Sequence, residues 1–271
     1  MAPLQLLLLL ALGWIAAPDP SLENQLRQEY VGSQRMLRHF SAADKLKFDL
    51  SGEPLNREPS ASWTIAGAVV IEKLTLNGQN LEMQGHRRLV TFDNEHRQLT
   101  YVKSNKTLSI EVITSDGPNQ ASQLHSALAK IFAEQNELPS LLPDYWRDYL
   151  ARFSGNKSGG CESGAQTAGT PAVSSEPAAL PPDEISEGQL IKKVEPHYLP
   201  AARKAGIEGE VQLGGLIGKT GSVTNICIVK ALGAGLDDSG IDAVRQWRYK
   251  PYLQNGNRIE VETTISITFR K

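Results

Sequence analysis

Between residues 196 and 269 the chain sets a proline or glycine at nearly every point where an element must begin or end, and it finishes on a strand with strict two-residue alternation. Pro200 suits the first turn of a helix, where its missing N–H costs nothing. Gly206 suits the position just past that helix, and Gly209 lets the chain turn sharply into a strand from Glu210 to Leu216. Gly221, followed by Ser222 and Val223, marks a hairpin. Leu236-Asp237 opens a second helix with Asp237 as its cap. Ile241, Val244 and Trp247 share one face of that helix, so Trp247 is expected to plug the space between helix and sheet. Pro251 stops the helix, and Asn255-Gly256 leads into the last strand. There Ile259, Val261, Thr263, Ile265, Ile267 and Phe269 alternate with Glu260, Glu262, Thr264, Ser266 and Thr268. One face is apolar and one polar, as in an antiparallel sheet covered by helices on one side only. The expectation for residues 186–271 is a small α+β domain with a three-stranded antiparallel sheet and two helices. The edge of such a closing strand can accept a strand from another protein.

The preceding residues divide into three parts. Ser21 to Phe40 reads as a helix with Leu22, Leu26, Tyr30, Ser33, Leu37 and Phe40 on one stripe and Ser21 as N-cap. Residues 45–115 change to strand patterning. Lys45 to Leu50 alternates, Trp63 to Leu76 is rich in β-branched residues, and Asn77-Gly78 is a hairpin signal. Leu81 to Phe92 follows, then a turn at Asp93 to His96, and two further strands, Gln98 to Lys103 and Leu108 to Thr114. This predicts a meander of about five antiparallel strands. Two helices follow, one after Asp116-Gly117-Pro118 with Leu124, Leu128, Ile131 and Phe132 on one face. The second follows Pro143 and carries Tyr145, Trp146, Tyr149, Leu150 and Phe153, an aromatic stripe read as core. Residues 18–153 are therefore expected as an α+β domain of a β-meander with flanking helices. Residues 154–185 are Gly, Ser, Ala, Thr and Pro with almost no large apolar side chain, which reads as a flexible linker spanning about 30 Å.

Residues 6–17 are apolar except for Gly13, and a membrane span needs about 20 such residues. Residues 1–17 are thus expected to be a secretory signal peptide, with Ile15-Ala16-Ala17 as cleavage site, or a short anchor. A net charge of −2 without any basic run argues against nucleic-acid binding. Five scattered histidines and two cysteines distant in sequence do not build a metal site. Cys161 is read as a surface thiol and Cys227 as a packed strand residue, with export leaving a disulfide open.

The C-terminal segment resembles the C-terminal domain of TonB-family proteins over roughly residues 190–271. The elements that carry this are Pro196-His-Tyr198-Leu-Pro200-Ala-Ala202, which holds one extra residue, Leu199, relative to the family's Pro-x-Tyr-Pro-x-x-Ala, then Gly206-Ile-Glu-Gly209-Glu-Val211, Gly221-Ser-Val223, Leu236-Asp237, Trp247-Arg-Tyr249-Lys-Pro251 and Asn255-Gly256. As structural motif residues the resemblance marks Pro200, Gly209, Gly221, Trp247, Tyr249, Pro251 and Gly256. It implies a periplasmic protein that binds the TonB box, an extended segment of outer-membrane transporters, by strand addition, in a system driven by an inner-membrane proton-driven motor. By position, the docking residues would be Ile259, Glu260, Val261, Glu262, Thr263, Thr264, Ile265, Ser266, Ile267, Thr268 and Phe269, flanked by Pro196 and Tyr198. Such transducers also carry a long N-terminal membrane helix and a stiff Pro-rich spacer, from which the expected short segment 1–17 and flexible linker 154–185 depart, and residues 21–153 have no place in them. Exported adaptor and carrier of an apolar ligand are the alternatives.

Nothing in the sequence assembles a catalytic or cofactor site. Gly214 to Thr220 looks like a phosphate-binding loop, but it is one residue short and is followed by a strand where a helix must begin. Gly159-Gly-Cys161-Glu-Ser-Gly164 lies in the linker, where nothing would hold a base. His86, His96 and His197 lack paired acids at ligand spacing and are read as solvated or satisfied.

Overall fold

The computed structural model of the protein describes residues 20–56, 59–115, 117–153 and 189–271. The N-terminal half runs α1 (Pro20–Tyr30), β1 (Gln34–Leu37), β2 (Lys45–Phe48), α2 (Trp63–Ala66), β3 (Ala68–Asn77), β4 (Asn80–Asp93), β5 (Gln98–Ile113), α3 (Gln120–Ile131), β6 (Phe132–Ala133), α4 (Leu138–Leu141) and α5 (Asp144–Ala151). The C-terminal half runs β7 (Leu190–Lys192), α6 (Pro200–Ala205), β8 (Gly209–Ile217), β9 (Val223–Lys230), α7 (Leu236–Arg245), β10 (Arg248–Tyr249), β11 (Tyr252–Gln254), β12 (Asn257–Ile259) and β13 (Val261–Phe269). The class is α+β. The expected signal segment, the linker and Cys161 lie outside the described residues.

In the N-terminal half the long strands β3, β4 and β5 form the predicted antiparallel meander, inside a six-stranded sheet of order β2-β5-β4-β3-β1-β6. Five local readings are corrected. The helix expected to reach Phe40 ends at Tyr30, because Gly32 takes φ +80° and its N–H bonds Ile71 O at 2.8 Å. Leu37 is then buried from a strand rather than a helix. Ser21, expected as the N-cap, falls inside α1. Trp63 to Ala66 form a helical turn capped by the Ser62 hydroxyl, which accepts from Thr64 N–H, so the strand begins only at Ala68. The two strands expected between Gln98 and Thr114 are one, since β4 pairs along it from Gln98 to Ile113 with a single register shift. β2 joins that strand in parallel, not antiparallel, Lys45 to Phe48 opposite Ser109 to Val112.

Two apolar clusters organise the packing. The first lies between one face of the six-stranded sheet and two helices. Leu22, Leu26 and Tyr30 of α1 and Leu124, Leu128 and Ile131 of α3 cover Val69, Ile71, Leu74, Met83, Ile110 and Val112. The second cluster is shared by both halves. Trp63, Leu89, Val90, Phe92, Trp146 and Tyr149 pack in one buried group with Val211, Leu213, Ile228, Ile241, Val244, Trp247, Ile265, Ile267 and Phe269. Of the aromatic stripe, Trp146 and Tyr149 are core, Tyr145 and Leu150 are half-buried, and Phe153 is 38% exposed. Trp146 meets Trp63 edge-on at 5.2 Å and Tyr149 meets Phe92 at 5.0 Å, geometries that add to simple area burial.

A buried cation ties α2 to the sheet. Arg87 of β4 is 3% exposed, and its guanidinium donates to Ala66 O at 2.7 Å, Ser41 O at 2.8 Å and Ala43 O at 2.7 Å. Among the described residues no carboxylate forms an ion pair with it, and burial lowers its pKa against the opposing pull of Asp44. Replacing Arg87 by Met should therefore leave three carbonyls without their donor, a loss of about 3 kcal/mol. Urea denaturation of the full chain measures it. A loss below ~0.5 kcal/mol would show that the clamp is dispensable.

Candidate functional site

The C-terminal half builds its sheet in the order β13-β8-β9, antiparallel throughout. Pro200 opens α6, and Gly206, at φ +71°, closes it, its N–H bonding Ala202 O and Arg203 O. α7 buries Ile241 and Val244 against the sheet, and Trp247, just past its end, is 5% exposed. The Trp247 indole N–H donates to Val194 O at 2.8 Å, so the core plug also anchors the segment leading into the domain.

Trp247-Arg-Tyr-Lys-Pro251 acts as a strap. β10 pairs with β7 at the start of the domain, and Lys250 N–H donates to Gln189 O at 2.7 Å. On its other side Tyr249 N–H donates to Gly221 O at 2.8 Å. The strap passes so close that a Cβ on Gly221, at φ +82°, would lie 1.8 Å from Tyr249 O. The β8–β9 turn can therefore hold only glycine at this point. The residues that resembled a phosphate-binding loop form β8 and this turn, with Gly218 N–H bonded to Ser222 O at 2.9 Å.

The two outer strands differ. β13 keeps register with β8 through nine consecutive pairs, Val261 opposite Ile217 to Phe269 opposite Gly209. Among the described residues no strand pairs with its other side. Ile265, Ile267 and Phe269 point into the core, while Glu262, Thr264, Ser266 and Thr268 are exposed. On that polar face the Ser266 hydroxyl holds the neighbouring Glu210 carboxyl below the usual range. β9, by contrast, shifts register twice against β8 and carries Asn225 at φ +50°. Bulges of this kind blunt an edge against further pairing.

Sequence reasoning extended the last strand from Ile259. The structure breaks it at Glu260. Ile259 belongs to β12 and pairs with Tyr252 in a hairpin turned by Asn255 at φ +53° and Gly256 at φ +76°. Tyr198 sits at the far end of β13, its ring 5.6 Å from that of Phe269 and its hydroxyl donating to Ile207 O at 2.8 Å. Pro196 is placed elsewhere, beside Asp238 and Ser239 of α7 in a cleft of about 380 Å³.

Asp237 is not the N-cap of α7, which is Gly235. Its carboxylate reaches backward, accepting from Leu232 N–H at 2.9 Å and Gly233 N–H at 2.5 Å. It is fully buried with no cation beside it, and burial pushes its pKa up to about 7 against the pull of those two bonds. Cys227 is disulfide-bonded, which corrects the reading of a free packed thiol. His96 rests on Asp93 at 2.7 Å, and His86 lies 2.8 Å from Glu72 without hydrogen-bond geometry. Among the described residues no group of three or more His, Cys, Asp or Glu is arranged to hold a metal, and no helix is long and apolar enough to cross a membrane.

Two predictions follow from these positions. Gly221→Ala should cost at least ~3 kcal/mol, since strap and turn cannot both stay in place. Gly256→Ala, where φ is also positive but nothing lies within 4 Å, should cost only ~1 kcal/mol. Parallel chemical denaturation distinguishes them, and equal losses would refute the close approach. The second concerns pH. The folded state keeps the Asp237 proton up to about pH 7, whereas the unfolded chain releases it near 3.8. This contribution is fully present below the lower value and is lost as pH rises toward the upper one. Between pH 5 and 7 the stability of wild type should fall relative to Asp237→Asn, read as the difference in urea midpoints. Parallel profiles would show that the carboxyl titrates normally.

Residues 194–270 match the family model described as Gram-negative bacterial TonB protein C-terminal. The proteins named TonB from two strains of Xanthomonas campestris pv. campestris are each 33% identical to this chain over 75 residues, covering 27% of it and 34% of the relative. The protein TonB of Vibrio cholerae serotype O1 is 28% identical over 105 residues, covering 38% of this chain and 41% of that protein. This chain thus spans well under half the length of the curated relatives it matches. The match to the solution structure of the Pseudomonas aeruginosa TonB CTD covers 32% of this chain and 88% of that one, at 23% identity and a TM-score of 0.29. The family match and the element order coincide, and the C-terminal domain of this chain belongs to the TonB C-terminal family.

Proposed function

We propose that the C-terminal domain docks an extended segment of an outer-membrane transporter along β13, in a TonB-type role supporting transport across the outer membrane from the periplasm. The observation that carries this reading is the contrast between the two sheet edges. β13 offers nine residues in unbroken register and, among the described residues, no strand on its outer side, while β9 is bulged. A straight, unpaired edge supplies a row of main-chain donors and acceptors, and the exposed side chains set the register of what pairs with it. Six of the expected docking positions, Val261, Glu262, Thr263, Thr264, Ser266 and Thr268, lie on β13 at or near solvent. Ile259 and Glu260 lie before it, so the proposed site is Val261 to Phe269 with Tyr198 at its end. The break at Glu260, after the hairpin β11–β12, bounds the edge at its start. Coupling to an inner-membrane proton-driven motor belongs to the same proposal and rests on the family resemblance alone. The role proposed for this edge is binding.

The test is a titration of the isotopically labelled full chain with a TonB-box peptide, followed by amide chemical shifts. The expected result is saturable perturbation concentrated on residues 261–269, with β9 amides unmoved. Perturbation centred on β9, or none at millimolar peptide, would overturn the proposal.

A further inference from the structure

The two halves meet along a built seam. β4 outruns β3: their pairing ends at Ala68 opposite Arg88, while β4 continues to Asp93 paired only with β5. That leaves one side of Leu89 to Asp93 open, and the segment from Ala231 to Gly235 fills it. Ala234 N–H donates to Val90 O at 2.7 Å, Phe92 N–H to Leu232 O at 3.4 Å, and Thr91 bridges Gly233. A Cβ on Gly233 would stand 2.4 Å from Val90 O, and one on Gly235 would stand 2.5 Å from Ile65 Cδ1. Both glycines are at positive φ.

Side chains close the seam on both flanks. Asn94 donates to Ala231 O at 2.7 Å and accepts from the Tyr149 hydroxyl at 2.9 Å, and that hydroxyl accepts from Ala231 N–H at 3.3 Å. Gly235 N–H donates to Thr64 Oγ1 at 2.7 Å. Asp238 of α7 accepts from the Tyr145 hydroxyl at 2.6 Å and from the Ser62 hydroxyl. Behind these contacts lies the apolar cluster common to both halves. Main-chain pairing, the hydrogen bonds of Asn94, Tyr149, Thr64 and Asp238, and continuous burial together resemble the inside of a domain rather than the wet contact of two loosely tethered ones. The indole N–H groups of Trp63 and Trp146 are nevertheless buried there without a partner among the described residues.

We propose that this seam, and not residues 154–188, is what joins the halves, and that the N-terminal half is a permanent partner of the C-terminal domain, forming with it a single body that presents β13. The N-terminal half thereby acquires a role: it is the rigid mount of the docking edge. Tension on the N-terminal half then reaches a strand docked on β13 through the seam. That consequence rests on the docking reading, whereas the union of the halves does not.

The test introduces a protease site between Gly169 and Thr170 of the full chain, cuts it, reduces the disulfide and follows the product by size exclusion with light scattering at low micromolar concentration. The expected product is one species with the mass of the uncut chain. Two species of separate mass would overturn the proposal. Ser62→Ala with Tyr145→Phe removes both donors to Asp238 without adding volume, and should weaken the association of the cut halves at least tenfold. Gly233→Val should separate them outright at the same concentration. Cut halves whose association is unchanged by both variants would equally overturn the assignment to this seam. No peptide enters the experiment, so its outcome is independent of what β13 binds.

Discussion

Gly233, Ala234 and Gly235 take φ values of +86°, +51° and +75° in succession, and the position of the C-terminal domain against the N-terminal half depends on that run. A left-handed alanine costs about 1 kcal/mol, and Ala234 is fully buried there. The conformation persists because both sides of it are bonded. Inward, the N–H groups of Leu232 and Gly233 converge on the Asp237 carboxylate. Outward, Leu232 O and Ala234 N–H face β4. An extended segment could not present donors to both sides within so few residues. The sharp left-handed turn also delivers the chain directly into α7, whose second residue is the carboxylate that stabilises it.

A second close approach locks the sheet itself. Gly221 lies under the strap, Tyr249 bonds it, and the same strap pairs with β7 and bonds Gln189. The start of the domain, its central turn and the end of α7 thus meet at β10. The motif spanning Trp247 to Pro251 reads in sequence as a helix terminator with a core tryptophan. In the structure it also ties three distant segments together, and Trp247 reaches Val194 for a fourth contact.

The C-terminal half was largely legible because its boundaries are local. Pro200, Gly206, Gly221 and the Asn255-Gly256 turn act on their own backbone, so each can be read without knowing its neighbours. The N-terminal half was less so, because tertiary pairing decided its elements. The Leu22 to Phe40 stripe satisfies a helical period, yet Gly32 bonds Ile71 and turns Leu37 into a strand residue. The polar stretch at Ser104 to Lys106 looks like a turn, yet β4 pairs on both sides of it and keeps it extended. The parallel pairing of β2 has no sequence signature at all. At the candidate site the alternation of the last strand was visible, but it runs through Glu260 without interruption and so hid the break. The seam left only a weak sign, the Gly-Ala-Gly sequence before α7, which a reading centred on turns would take for an ordinary loop.

The sheet order places these features where they do not interfere. β8 is central, β13 is one edge, and β9 with the segment that follows it is the other. The seam grips the chain just after β9, at the edge of the sheet opposite β13, and β5 also lies beside α6. The β9 edge is further spoiled by its bulges and by the strap passing beside Ser222. Burial of the common core therefore consumes the side of the sheet that could not pair cleanly in any case. The edge left over is the one whose hydrogen-bonding register is unbroken, and it is held from behind by Ile265, Ile267 and Phe269 in the same cluster that contains Trp63 and Trp146 of the other half. A strand added to β13 would extend a sheet whose geometry is fixed by that shared core, so little ordering of the domain should accompany binding.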